Sequence, residues 1–122
     1  MAIKLDLNTA VIPVEIGEFK FEIEMTDEKE KAFQAKLNYF VKKGQELNED
    51  NPEDEEVLHS MLADMYDEML GSGAFKKLYE HTSNTGILLG VFMELMAEYS
   101  KEVRARVVPR SVLNVVDKKP IS

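Results

Sequence analysis

The sequence contains neither cysteine nor tryptophan among its 122 residues. Without cysteine the chain can form no disulfide, bind no metal through thiolates and use no cysteine nucleophile. It also lacks an uninterrupted apolar run of about 18 residues, the length that a membrane-spanning helix requires. The N-terminal residues lack the basic segment, long apolar segment and cleavage site of a signal peptide. We therefore expect a soluble protein of the cytoplasm, without contact to membranes.

Positive charge is scarce, since 15 basic residues face 23 acidic ones and the net charge is −8. That sign argues against general binding to nucleic acids, whose phosphates attract basic surfaces. The charge is also uneven, because six basic and only two acidic residues fall within residues 101–122. A basic tail on an acidic body predicts binding to an acidic partner or to another copy, which leaves a homo-oligomer open.

Alternation of apolar and polar side chains predicts strands near the N-terminus. Residues 3–7 and 19–25 each place every second side chain on one apolar face. Between them, Pro13 and Gly17 interrupt pairing. We predict a small β-hairpin or meander within residues 3–25, in which residues 19–25 form the firmest strand.

From residue 27 onward, apolar side chains recur at helical spacing. Thr26 or Asp27 can cap the first helix, and Gly44 provides a stop signal. The second helix follows Pro52. The last helix begins after Asn84 and is apolar around much of its circumference, which predicts that it is the most buried helix.

These elements predict an α+β fold that is mostly α-helical, with an N-terminal β-hairpin or meander followed by about four helices. With 44% hydrophobic and 31% charged residues, the composition is that of a globular domain. We assign residues 1–101 to a single domain, with strands in about 3–25 and helices in about 27–101. Residues 102–122 form the basic C-terminal tail, either a strand or a disordered segment.

A serine in the sequence Gly71-Ser72-Gly73 raises the question of nucleophilic catalysis. The segment lies between two predicted helices and does not match the Gly-x-Ser-x-Gly elbow of hydrolases. We interpret Gly71 as the left-handed residue that ends one helix and Ser72 as the N-cap of the next.

A histidine on the second predicted helix follows the spacing Glu56-x-x-His59, which di-iron helical bundles use. Such a site requires a second copy of the motif and two further glutamates. His81, the other histidine, has no glutamate three residues before it. We therefore interpret His59 as a surface histidine beside acidic neighbours and predict no metal site.

Four carboxylates on the second predicted helix favour one possible enzymatic function, that of a nucleotide pyrophosphohydrolase. Glu53 and Glu56, together with Asp64 and Asp67, have the spacing that could hold Mg²⁺ against a pyrophosphate. All-α nucleotide pyrophosphohydrolases work in this way, and Lys76-Lys77 supplies the nearby basic groups. A solvated helix N-terminus also explains the first two carboxylates, so both interpretations stay open.

Methionines provide the remaining signal. Flexible and polarizable methionine side chains serve either as core or as an adaptable surface for apolar partner helices. Both interpretations remain open for the five that recur on the second and last predicted helices. These candidate partner-binding residues are Met61, Met65, Met69, Met93 and Met96.

The layout of residues 15–101 resembles the small tail assembly chaperones of siphophages that infect Gram-positive bacteria. The segment YDEMLGSGAFKKLYEHTSNTGILLGVFMELM, residues 66–96, is similar to the family pattern. That pattern is an acidic helix, Gly-x-Gly, a Lys-Lys-aromatic segment, Thr-Asn and an apolar helix. The basic tail has no counterpart in it.

The resemblance implies a non-catalytic protein without a cofactor. Members of that family bind the long helical tape measure protein of phages and prophages during virion morphogenesis. They keep its apolar surface soluble and help to recruit tail tube protein for polymerisation.

Overall fold

The computed structural model describes residues 1–4, 10–48 and 50–106. In chain order, the elements are β1 (Val11–Ile16), β2 (Phe19–Glu24), α1 (Asp27–Gly44), α2 (Pro52–Leu70), α3 (Ala74–Thr82) and α4 (Thr85–Arg106). A two-stranded antiparallel hairpin followed by four helices confirms the predicted α+β, mostly helical fold. Among the helices of the described residues, none combines the length and apolarity needed to cross a membrane.

The chain divides into two compact units, one that ends at Gly90 and one that begins at Val91. The first contains the hairpin, α1, α2, α3 and the start of α4. The described part of the second is the remainder of α4, residues 91–106. The assignment of residues 1–101 to a single domain stays a prediction.

The last helix continues to Arg106, five residues beyond the predicted boundary. The guanidinium Nε of Arg106 lies 3.0 Å from Oε1 of Glu102, one helical turn earlier. This pair and the basic last turn both favour helix here. Residues 107–122 of the predicted tail lie outside the described residues.

The hairpin forms partly from residues that we expected to interrupt it. β1 contains Pro13, and residues 16 and 19 pair across a two-residue turn in which Gly17 adopts a φ of 60°. Glycine takes that left-handed conformation at little cost, so it builds the turn instead of breaking the strand. Of the other predicted strand, residues 5–7 lie outside the described residues, and residues 3 and 4 are not in a strand.

Proline is tolerated in β1 because of its place in the ladder. The amide of Met25 donates to the carbonyl of Ala10 at 2.6 Å, and bonded pairs alternate with non-bonded pairs along an antiparallel ladder. Pro13, opposite Glu22, therefore occupies a non-bonded pair. Its missing N–H would have pointed away from β2, so its ring costs the hairpin no hydrogen bond.

Side chains cap the starts of α1 and α2, and the Thr26 cap of α1 was predicted. The Thr26 hydroxyl accepts a hydrogen bond from the amide of Lys29 at 3.2 Å, which caps α1. Asn51 caps α2 by accepting from the amide of Glu53 at 2.9 Å, and Pro52 occupies the first helical position. Both arrangements satisfy backbone donors that have no partner within their helix.

The predicted Ser72 cap is wrong, because Gly73 is the residue that precedes α3 and it makes no side-chain capping bond. A carboxylate from the preceding helix supplies the acceptor instead. Oδ1 of Asp67 accepts a hydrogen bond from the amide of Phe75 at 3.0 Å. The carboxylate also lies near the positive end of the α3 dipole, which stabilises it there.

Replacing Asp67 by alanine is expected to lower the free energy of unfolding by about 1 kcal/mol, the usual cost of losing a helix cap. Urea denaturation followed by circular dichroism measures this difference. Ser72→Ala is the matched control, since Ser72 is exposed and is not the cap. Equal effects of the two replacements would contradict the assignment of the cap to Asp67.

The core is centred on α2 rather than on the last helix, so our prediction for the last helix is wrong. α2 lies against α1, α3 and β2, which explains why it contributes more buried side chains than any other element of the described residues. In α4, Leu88 and Phe92 are buried, whereas Ile87 and Met93 are exposed. The buried residues of α2 are Leu62, Met65, Tyr66, Met69 and Leu70.

Candidate functional site

An open groove of about 330 Å³ lies between α1 and α2 and is here named the α1–α2 groove. Phe40 and Met65 are its buried residues, while Tyr39 is 62% exposed. Most of its lining is apolar, and the charged side chains belong to one lysine and one aspartate. The lining residues are Ala35, Lys36, Tyr39, Phe40, Met61, Asp64 and Met65.

A bridging lysine fixes the charged side of the α1–α2 groove. Nζ of Lys36 lies 3.4 Å from Oδ1 of Asp64 and 3.4 Å from Oε2 of Glu68. Desolvation alone would lower the pKa of Lys36, but the two carboxylates outweigh it and raise that pKa above its usual value. One cation thus joins α1 to α2 while two anions surround it, which leaves a net negative charge beside an apolar surface.

The structure separates the five candidate methionines. Met61 and Met65 both line the α1–α2 groove, Met61 half-buried and Met65 only 2% exposed. Met69 is buried and does not line it. Met93, which is 59% exposed, and half-buried Met96 lie on α4 in the second unit. The α2 methionines therefore belong partly to the core and partly to a groove.

The interpretation of His59 as a surface residue needs correction, because its side chain is half-buried among aromatic rings. Nδ1 of His59 lies 2.9 Å from Oγ1 of Thr85. Its ring meets those of Phe75 and Tyr79 edge to face, at centroid distances of 5.0 and 4.8 Å. These contacts give His59 a packing role between α2, α3 and the start of α4.

The four carboxylates of the magnesium alternative are engaged in different ways. Asp64 pairs with Lys36 and Asp67 caps α3, while Glu53 and Glu56 are exposed. Across residues 1–4, 10–48 and 50–106, no group of three or more histidine, aspartate or glutamate side chains is placed to hold a metal ion. The pyrophosphohydrolase hypothesis therefore has no assembled ligand set within those ranges.

Met61 and Met65 were predicted as binding residues, whereas the α1 side of the groove was not predicted. Ala35 and Tyr39, together with Lys36 and Phe40, recur at intervals of three and four residues, so their shared helix face was readable. Which helix that face meets depends on long-range packing, which periodicity does not encode.

The chain matches no model of a known protein family, no curated protein and no solved structure.

Proposed function

We propose that this protein is a phage tail assembly chaperone that binds the tape measure protein and assists polymerisation of the tail tube protein, without catalysis. In this proposal it acts in the cytoplasm of the host cell. The observation that carries the proposal is the α1–α2 groove, an open apolar surface next to two methionines of α2.

The shape and chemistry of the groove suit an apolar helix. An amphipathic helix presents side chains at i, i+3 or i+4 and i+7, and such a row fits the trough between two packed helices. Met61 is half-buried and flexible, so it can adjust to different apolar side chains. The exposed ring of Tyr39 offers apolar area at low entropic cost. A long helical client with many similar apolar rows requires this tolerance.

Replacing Tyr39 by aspartate is expected to weaken binding of the tape measure protein at least about tenfold, because a charge would enter the apolar contact. The measurement is co-expression with the longest helical, apolar protein encoded nearby in the source genome, followed by affinity capture and sizing. Val41→Asp is the matched control, since Val41 is also exposed on α1, at 51%, but does not line the groove.

The outcomes separate three interpretations. Loss of co-elution with Tyr39→Asp alone supports the groove as the binding site. Unchanged co-elution with Tyr39→Asp would place the client elsewhere, and equal loss with both variants would show that the effect is not specific to the groove. An insoluble client that never co-elutes with the unaltered chain would contradict the chaperone proposal. Calorimetric titration with Mg²⁺ would then test the alternative, because a pyrophosphohydrolase of this type requires saturable metal binding.

A further inference from the structure

The hairpin has one strand edge whose backbone is open to pairing. In a two-stranded sheet, each strand turns every second N–H and C=O away from its neighbour. The bonded pairs include residues 14 and 21, so Lys20 and Glu22 direct their backbone groups outward from β2. Both side chains are exposed. The outer edge of β2, defined by Lys20, Phe21 and Glu22, is therefore a free pairing surface within the described residues.

The edge of β1 differs because a proline blocks it. Its outward backbone groups belong to residues 11, 13 and 15, and Pro13 has no N–H to donate. Proline at this position is a common means of preventing edge-to-edge pairing. β2 has no proline, so the hairpin favours strand addition on one side only.

A groove of about 600 Å³ with a mixed apolar and charged lining adjoins the hairpin. Its apolar part is formed by Pro13, Val14, Phe21 and Leu70, and its charged part by Glu15, Lys20 and Glu22. Phe21 is half-buried and belongs to the same face of the hairpin as buried Ile12 and Ile23. A strand added at β2 can therefore gain apolar contact as well as backbone hydrogen bonds.

We propose that the outer edge of β2 pairs antiparallel with the same edge of a second copy, around a two-fold axis at Phe21. In this register Lys20 lies opposite Glu22 of the other copy, and the symmetry makes this pair twice. Both residues direct backbone groups outward, so they form bonded pairs. Phe21 meets its own counterpart at a non-bonded position, where opposed side chains approach most closely. This interface does not depend on the chaperone proposal.

Charge complementarity favours a second copy as the occupant. A strand with a negative charge opposite Lys20 and a positive charge opposite Glu22, separated by an aromatic residue, has the pattern of β2 itself read in the reverse direction. Opposite charges directly across an antiparallel pair stabilise it, and like charges destabilise it.

Sedimentation equilibrium of the full chain tests the interface through charge exchange. Lys20→Glu and Glu22→Lys each place like charges at both cross-strand pairs, so each is expected to weaken dimerisation about tenfold or more. The double variant restores opposite charges and is expected to recover the affinity of the unaltered chain. An equimolar mixture of the two single variants is expected to form a heterodimer, because both of its pairs are again complementary.

Controls distinguish loss of the interface from loss of the fold. Within its own hairpin, Glu22 lies opposite Pro13, so Glu22→Lys breaks no intrachain charge pair there, whereas Lys20 lies opposite Glu15. Circular dichroism checks that both variants stay folded. Glu80→Lys, at an exposed position of α3, makes the same charge change as Glu22→Lys outside the two strands. A chain that stays monomeric at about 1 mM overturns the proposal, because no specific self-association is then measurable. A dimer unaffected by the single exchanges, or not restored by the double exchange, also overturns it.

Discussion

Replacing Met65 by alanine is expected to lower the free energy of unfolding by about 2–5 kcal/mol, the range for removing a large apolar side chain from a core. Met65 is 2% exposed and lies on α2, the helix that α1, α3 and β2 all contact. Its neighbours therefore cannot collapse freely into the space that truncation leaves. Urea denaturation monitored by circular dichroism measures the loss as a lower transition midpoint.

Met61 provides the matched control, one helical turn before Met65 in the same groove. Its side chain is half-buried, so Met61→Ala removes less buried area and is expected to cost under about 1.5 kcal/mol. Partner binding is expected to reverse this order. Per folded molecule, Met61→Ala should weaken capture of the client more than Met65→Ala does. Equal stability losses would show that the two side chains share one environment, against the burial described above.

Methionine spacing illustrates how far the sequence constrains the site. Met61, Met65 and Met69 recur every four residues, which places them along one side of α2. Periodicity determines the shared face but not the depth of burial along it. The depth of burial depends on which parts of α2 are covered by α1 and α3, and this coverage follows from long-range packing.

Sequence signals that act locally predicted the helix starts better than methionine spacing predicted burial. Thr26 and Pro52 mark helix starts through chemistry that acts within one turn of the chain. The α3 cap was not readable in this way, because Asp67 reaches Phe75 across eight residues and an intervening turn. Pro13 misled for a related reason, since its effect depends on which ladder position it occupies. Composition alone leaves that position undetermined.

Alkaline pH is expected to destabilise the fold through Tyr66. The side chain is 0% exposed, and its hydroxyl donates a hydrogen bond to the carbonyl of Leu88 at 2.6 Å. Burial raises the pKa of Tyr66 far above its usual value of about 10, because the phenolate would lose its hydration. Above pH 10 the unfolded chain therefore loses a proton that the folded chain retains.

The sign of the effect follows from this proton difference. The stabilisation that protonated Tyr66 contributes to the fold is complete below the pKa that this residue has in the unfolded chain. It declines as the pH rises above that value. The slope approaches about 1.4 kcal/mol per pH unit. The pKa of Lys36 is also raised, so this residue contributes to the pH dependence in the same direction. The stability curve of the unaltered chain therefore does not give the contribution of Tyr66 by itself. A comparison between variants is needed.

Tyr66→Phe isolates that contribution because phenylalanine has no hydroxyl to ionise. At neutral pH this variant is expected to be less stable by about 1 kcal/mol, the usual net cost of one lost hydrogen bond. Its stability should then fall less steeply above pH 10, so that the two stability curves meet near about pH 11. Tyr39→Phe removes the hydroxyl of an exposed tyrosine and is the matched control. Parallel curves for Tyr66→Phe and the unaltered chain between pH 9 and 12 would mean that the fold does not hold this phenol protonated. Buried Tyr66 would then have to ionise without disrupting the packing of α2, at odds with its bond to Leu88.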